Sequence, residues 1–416
     1  MCTLIHMAGG TRGDEAMDEK ALGAETTSGE AMSDEATGGG AGAGETEGGK
    51  TGSGGAGSGK VGSGEELARD LRERLRRTRR VATPWRDDAA RGIRGTHLDE
   101  LLEHWADGYD WGVHERRIGA LPWETVRAGG TELRVIHQRS ADPGAPVVVL
   151  LHGWPDSVLR FERVLPLLAD LNVVVPALPG FPFAALLTEP GMSADRIAGI
   201  VADALAALGY TRYTVSGGDV GGTVAELLAA RHPDRVAALH LTNVAPQRAL
   251  TADPAGLAPD AVAYLGRAAR WFRAEGGYIA EQSTRPNTLA VALGDSPAGL
   301  AAWIVEKLES WSDEAAFTPD ELLTWVSAYW VTGTIGTSFA TYAEPVSLPH
   351  RIDTPTVFSV FPRDTKPEPR SYAEAFLNVR DYVEHGAGGH FAAWEQPGAY
   401  ADDVRRAVKL GVAQGT

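Results

Sequence analysis

Asp219 stands at the centre of Gly217-Gly218-Asp219-Val220-Gly221-Gly222, between a strand-like "YTVS" and a helix-like "TVAELLAARHP". A small-x-nucleophile-x-small pattern at such a junction makes a turn sharp enough to lift the central side chain above a sheet. The following helix aims its positive end at that side chain, which suits an anion. The competing role for Asp219 is a plain helix cap. A cap needs no glycine on both sides, however, and Thr223 or Gly221 would serve. As a nucleophile, a carboxylate needs no prior deprotonation, since an Asp of pKa ~3.9 is ionised at neutral pH. Alkylation at a carbon electrophile uses that property; a serine would first have to lose a proton.

Three further pieces fit around it. His152-Gly153-Trp154-Pro155 follows an apolar strand, where a glycine lets backbone N–H groups face a cavity as an oxyanion hole does. Alone it reads equally as a strand-end turn; paired with a downstream elbow, the oxyanion reading gains. His390 lies in the glycine turn "GGHFAAWEQP" just before the last helix, in the nucleophile–acid–base chain order of α/β-hydrolases. The acid that orients it should end an earlier strand, and "TVFSVFPRD" supplies Asp364 there. Glu368, Asp381 and Glu384 also lie between nucleophile and base, but are read as later loop or helix positions.

The elements that must hold these residues alternate. "TELRVIHQRS", "APVVVLLHGWP", "LNVVVPALPG", "YTVSGGD" and "TPTVFSVFP" read as strands, several of them continuous apolar runs typical of burial on both faces. "LRFERVLPLLAD", "SADRIAGIVADALAALG" and "VGGTVAELLAARHP" read as helices between them. That alternation predicts an α/β fold, a mostly parallel sheet with helices on both faces. Residues 65–145 open with the helices "EELARDLRERLRRTRR" and "THLDELLEHWADGY", the second capped by Thr96. They are expected to form a helical meander packing on the core. The core proper is read as 146–245 and 346–416, with helices over 246–345 inserted as a lid across the carboxyl ends of the strands, where open α/β sheets bind ligands.

Residues 1–64 differ in kind, with no Phe, Trp or Tyr, ten acidic and four basic residues, and an expected disordered state. There "GETEGGKT" matches a phosphate-loop pattern, but without the strand and helix that a nucleotide site needs. The formal charge of −16 argues against nucleic acid and acidic membrane surfaces as partners. Cys2 is the sole cysteine, so no intrachain disulfide forms. Without a signal peptide or a membrane-length apolar run, the chain is expected to be soluble and cytoplasmic.

With these blocks in this order, the sequence resembles the epoxide hydrolases of the α/β-hydrolase superfamily, in the branch related to the microsomal type. The resemblance spans roughly residues 65–410: the meander, "HGWP", "GGDVGG", "GGYIAEQSTRPNTLAVALGDSPAGLAAWIVEKLESWSD", "YWVTGTIGTSFATY" and "GGHFAAWEQP". It implies a diol-forming hydrolase of small-molecule epoxides with Asp219, Asp364 and His390 as the triad, needing neither metal nor organic cofactor. It further implies that Tyr278 and Tyr342 hold the epoxide oxygen, that the N–H groups of Trp154 and Val220 form the oxyanion hole, and that the Trp154 side chain meets substrate. From the residues alone, either tyrosine would be core packing. Two departures stand out. Val220 replaces a tryptophan common in relatives, and the Gly-rich tail stands where microsomal enzymes have a membrane anchor. Oligomeric state stays open, a homodimer included. The rival readings are a haloalkane or haloacid dehalogenase, which wants halide donors that Val220 lacks, and an inactive scaffold, which would have lost one of these residues. A serine esterase would need a G-x-S-x-G elbow that the folded part does not contain.

Overall fold

A computed structural model describes residues 64–128 and 130–413; the expectations for the Gly-rich tail and its phosphate-loop-like stretch fall outside them. Among the described residues, eight strands form one sheet: β1 (Trp123–Ala128), β2 (Thr131–Gln138), β3 (Val147–Leu151), β4 (Asn172–Pro176), β5 (Tyr213–Gly217), β6 (Val236–Leu241), β7 (Ile352–Val360) and β8 (Leu377–Glu384). Their order is β1-β2-β4-β3-β5-β6-β7-β8. The β1–β2 and β2–β4 pairings are antiparallel; from β4 to β8 every neighbour is parallel.

The apolar runs explain this burial. Side chains on a strand alternate between faces, so a strand covered on both sides must be apolar throughout. In β3, Val149 and Leu151 enter one core while Val148 and Leu150 enter the other. In β4, Val174 enters the first, and Val173 and Val175 the second. Each such side chain contributes about 1.5–3 kcal/mol on full burial. The first core is covered by α4 (Ala194–Ala207) and α5 (Val220–Arg231), the second by α15 (Pro397–Ala413). Helix α4 starts where Ser193 Oγ accepts the Arg196 N–H at 3.2 Å.

Helices α1 (Gly64–Arg76), α2 (Gly95–Asp107) and α3 (Trp111–Gly119) precede the sheet. Between β6 and β7 lies an insertion of α6 (Pro246–Thr251), α7 (Pro259–Glu275), α8 (Gly277–Thr284), α9 (Pro286–Asp295), α10 (Pro297–Ser310), α11 (Pro319–Thr332) and α12 (Ala340–Ala343). Helix α11 carries a capping box, Thr318 with Glu321, and ends on Gly333 in the left-handed region. After β7 come α13 (Arg370–Phe376) and α14 (Ala392–Glu395). No single described helix is long and apolar enough to cross a membrane.

The N-terminal helices grip this insertion more than they pack on the sheet. Arg74 pairs with Asp295 at 2.8 Å, His97 with Glu309 at 2.7 Å, and the Trp105 indole N–H donates to Ser327 Oγ at 3.0 Å. The second part of 65–145 is β1 and β2, which join the sheet.

Local structure departs from the sequence reading at several points. Thr96 does not cap α2: the helix begins one residue earlier, and the Thr96 N–H is satisfied by Asp87 Oδ1 at 2.7 Å. "LRFERVLPLLAD" forms two short 3₁₀ turns, 158–161 and 165–168, because Pro166 cannot donate to a continuous helix. Asp381 and Glu384, expected on loop or helix, lie on β8.

Candidate active site

Strand β5 ends at Gly217 and α5 begins at Val220, leaving two residues to reverse the chain. Asp219 meets that demand with φ 55° and ψ −130°, a region that L-residues rarely occupy and that costs ~1–3 kcal/mol. Its N–H donates to Asn243 Oδ1 at 2.6 Å, a contact from the end of β6 that helps hold the strained turn. Around it the backbones are too close for side chains. A methyl on Gly217 would strike the Gly221 carbonyl, and one on Gly221 would overlap the carbonyl oxygens of Leu151 and His152. Gly153 lies against the Asp219 side chain itself. Gly222 differs, since a methyl there meets only ordinary contacts.

Asp219 occupies the cap position of α5 but makes no side-chain capping bond. Its Oδ1 instead accepts the Trp154 backbone N–H at 2.9 Å. Val220 is the first residue of α5, so its N–H is among those a helix cannot satisfy internally. The Trp154–Pro155 bond is cis.

His390 Nδ1 lies 2.8 Å from Asp364 Oδ1, and both side chains are under a tenth exposed. The His390 Nε2 is 3.6 Å from Asp219 Oδ2 and has no hydrogen-bond partner among the described residues. Burial pushes the Asp364 carboxyl up, but the attraction of His390, their hydrogen bond, Lys366 and the Thr365 N–H together hold it below the usual carboxylate range. Glu368, the nearest rival acid, is spent elsewhere: it accepts the Val244 N–H at 2.7 Å and the Tyr264 hydroxyl at 3.0 Å. Burial raises its pKa to about 8.

The insertion supplies the other wall. Tyr278 on α8 stacks on Trp154 with centroids 5.2 Å apart and planes 9° from parallel. Tyr342 on α12 meets the edges of both rings at 6.1 Å. Burial, and after it the charge of Asp219, push both phenols well above their ordinary pKa. The His390 N–H donates to the Trp311 carbonyl at 2.8 Å, and the Trp311 ring stands edge-on to the imidazole at 5.2 Å. The structure thus brings Asp219, Asp364, His390, Trp154, Tyr278 and Tyr342 together, with Val220 next to Asp219 in the chain. Sequence reasoning passed over Asn243, Asp156, Arg160 and Trp311. Asp156 and Arg160 left a signal, an i,i+4 charge pair immediately after "HGWP".

Comparison with known proteins bears on the family and the fold. The family model "Epoxide hydrolase N terminus" matches residues 60–161, and "alpha/beta hydrolase fold" matches residues 146–275. A Stigmatella aurantiaca (strain DW4/3-1) chain whose assigned name is that of an epoxide hydrolase is 35% identical over 362 residues, 82% of each chain. The chain belongs to the epoxide hydrolases of the α/β-hydrolase fold. Another member, Epoxide hydrolase 1 of Sus scrofa, is 28% identical over 395 residues, covering 83% of this chain and 87% of that one. The structure of Aspergillus niger epoxide hydrolase superposes with a TM-score of 0.76 at 30% identity, over 83% of this chain and 94% of the other. These relatives share the enzyme class and the fold, a hydrolase built on a mostly parallel sheet.

Proposed function

We propose that this enzyme opens small-molecule epoxides to vicinal diols through an ester on Asp219. The observation that carries the reading is the placement of Asp219: making no capping bond, strained at the elbow, and within 3.6 Å of an imidazole nitrogen that has no hydrogen-bond partner among the described residues. Asp219 Oδ2 attacks one epoxide carbon, and the C–O bond breaks. Tyr278 and Tyr342 donate to the oxygen as it becomes an alkoxide; their raised pKa keeps both protonated at neutral pH, so both are donors. His390, oriented by Asp364, then takes a proton from water, and the hydroxide adds to the ester carbonyl of Asp219. The Trp154 N–H already touches Asp219 Oδ1, so it is in place to receive the oxyanion, with Val220 as second donor. Collapse of that adduct breaks the bond to the alkyl oxygen, which takes the adduct's hydroxyl proton as the carboxylate is restored. The proton on His390 goes by way of solvent to the tyrosine that protonated the first alkoxide, and the diol leaves. Residues 246–345 act as the lid.

Dehalogenation is the second reading, favoured by one observation. The buried indole Nε1 atoms of Trp154 and Trp311 have no acceptor among the described residues, and an indole N–H is the donor that a departing halide needs. A His390→Ala variant exposed to aryl and alkyl epoxides and to haloalkanes separates the two by intact mass. A gain of the whole epoxide, mapped to Asp219 and absent in Asp219→Asn, supports the epoxide route. Adducts from haloalkanes alone, with halide released, would transfer the assignment.

A further inference from the structure

Behind the nucleophile lies a charged group that the proposed steps do not use. Arg160 is 2% exposed and sits in the 3₁₀ turn after the oxyanion loop. Its Nη1 donates to Asp156 Oδ2 at 2.6 Å, and Asp156 Oδ1 in turn accepts the Gly153 N–H at 2.7 Å. Its Nη2 donates to the His390 carbonyl. The same Nη2 would lie 3.5 Å from a Cβ on Gly218, so the guanidinium also backs the elbow. Three loops distant in sequence, carrying the oxyanion donor, the nucleophile and the base, therefore meet on one side chain.

A buried ion pair is a poor device for stability alone, because desolvating two charges offsets most of their attraction. Arginine is suited to a different task, since its rigid planar fork fixes two acceptors at a set separation, whereas a lysine is a single point charge. Burial works against both charges here, yet their mutual attraction keeps Asp156 ionised and Arg160 protonated. The insertion joins in, with the Tyr329 hydroxyl donating to the Asp156 carbonyl at 3.0 Å.

Resting on the ester route, we propose that Arg160 is a positioning residue that sets the distance between the general base and the oxyanion donor, and so serves the hydrolytic half of the reaction. Alkylation needs only Asp219 and the two tyrosines. Ester hydrolysis needs His390 and the Trp154 N–H to act on one carbonyl at once; the guanidinium hydrogen-bonds into the loops of both and makes only van der Waals contact with the elbow.

Single-turnover rapid quench with intact-mass detection, using styrene oxide as the probe, tests this on Arg160→Lys. Lysine retains the charge but cannot bridge both acceptors. Alkylation is expected within about twofold of wild type, while ester decay slows on the order of tenfold to hundredfold and ester accumulates on Asp219. Asp156→Asn with Arg160→Gln is the second variant, removing both charges so that neither is left buried alone. Proportional loss in both steps, unchanged decay, or failure of both variants to fold would each overturn the proposal, the last by reducing Arg160 to a stability role. His390→Ala is the control: without ester on Asp219 there, the ester route itself is lost, whereas trapped ester with wild-type decay in Arg160→Lys sinks this inference alone.

Discussion

Replacing Asp364 by Asn removes one negative charge and little else. The amide oxygen can still face the Thr365 N–H, which donates to Oδ1 at 2.6 Å, and His390 Nδ1 at 2.8 Å, so the loop keeps its shape. What is lost is the carboxylate's stabilisation of an imidazolium, and on the proposed ester route that cation forms only when His390 takes a proton from water. A hydrogen bond to a charged group is worth ~1.5–3 kcal/mol, and both partners here are under a tenth exposed, which favours the upper end. At ~1.36 kcal/mol per tenfold, ester hydrolysis should slow by about 10- to 150-fold, and further if the imidazole also adopts the wrong tautomer. Alkylation moves no proton to His390 and should keep its rate. Glu368 cannot take over, because its oxygens are held by Val244 and Tyr264. Glu368→Gln should therefore leave the ratio of the two steps unchanged. Stopped-flow alkylation followed by rapid-quench detection of the ester reads both rates. Equal slowing of the two steps by Asp364→Asn, or selective slowing of hydrolysis by Glu368→Gln, would refute the assignment of the acid.

Tyr278→Phe and Tyr342→Phe should each slow alkylation by ~10²–10³-fold, the worth of one such donor, with ester decay unaffected in the same transient assay. Because both phenols titrate well above their ordinary value, wild-type alkylation should stay flat from neutral pH to pH ~10, which a stopped-flow pH series would show. Conformational stability has the opposite exposure: the unfolded tyrosines ionise near pH ~10 and the folded ones do not, so stability is intact below that pH and falls above it, as denaturant titration would record. The two elbow glycines should separate cleanly in thermal unfolding. Gly221→Ala has no room beside the Leu151 and His152 carbonyls and should lose activity and stability together, whereas Gly222→Ala should be neutral or stabilising by up to ~1 kcal/mol.

The sequence made the parallel half of the fold legible because buried parallel strands are written as unbroken apolar runs, as in "VVVLL". β6 ("VAALHL") is as apolar but carries a histidine, and β8 ("LNVRDYVE") is half-exposed at the sheet edge with charges along it, so neither announced itself. Asp219, Trp154 and His390 were readable because glycines crowd them for reasons of backbone contact that leave a pattern. Asp364 needed the end of β7 to be located first. Arg160 was hidden because nothing local distinguishes an arginine that spans 230 residues to reach the His390 carbonyl from one on a solvated turn. Thr96 misled for the reverse reason: its local pattern was right for a cap, but the carboxylate that satisfies the helix came from Asp87.

Arg248 stands where the insertion leaves the sheet. It binds Glu226 on α5 at 2.7 Å and donates to the His350 carbonyl at 3.2 Å, where the chain returns to β7. The two ends of more than a hundred intervening residues are thus fastened to one point on the helix behind the nucleophile. Further fastenings, from Arg74 to Asp295, from Trp105 to Ser327 and from the His390 backbone N–H to the Trp311 carbonyl, divide the segment into stretches between fixed points. The lining between those points can change while Trp311 and Tyr329 go on holding the loops of His390 and Asp156. Substrate range can then diversify between these points, and libraries between Arg248 and His350 that leave Tyr278, Tyr342 and Trp311 unchanged would vary selectivity at least risk to the proposed chemistry.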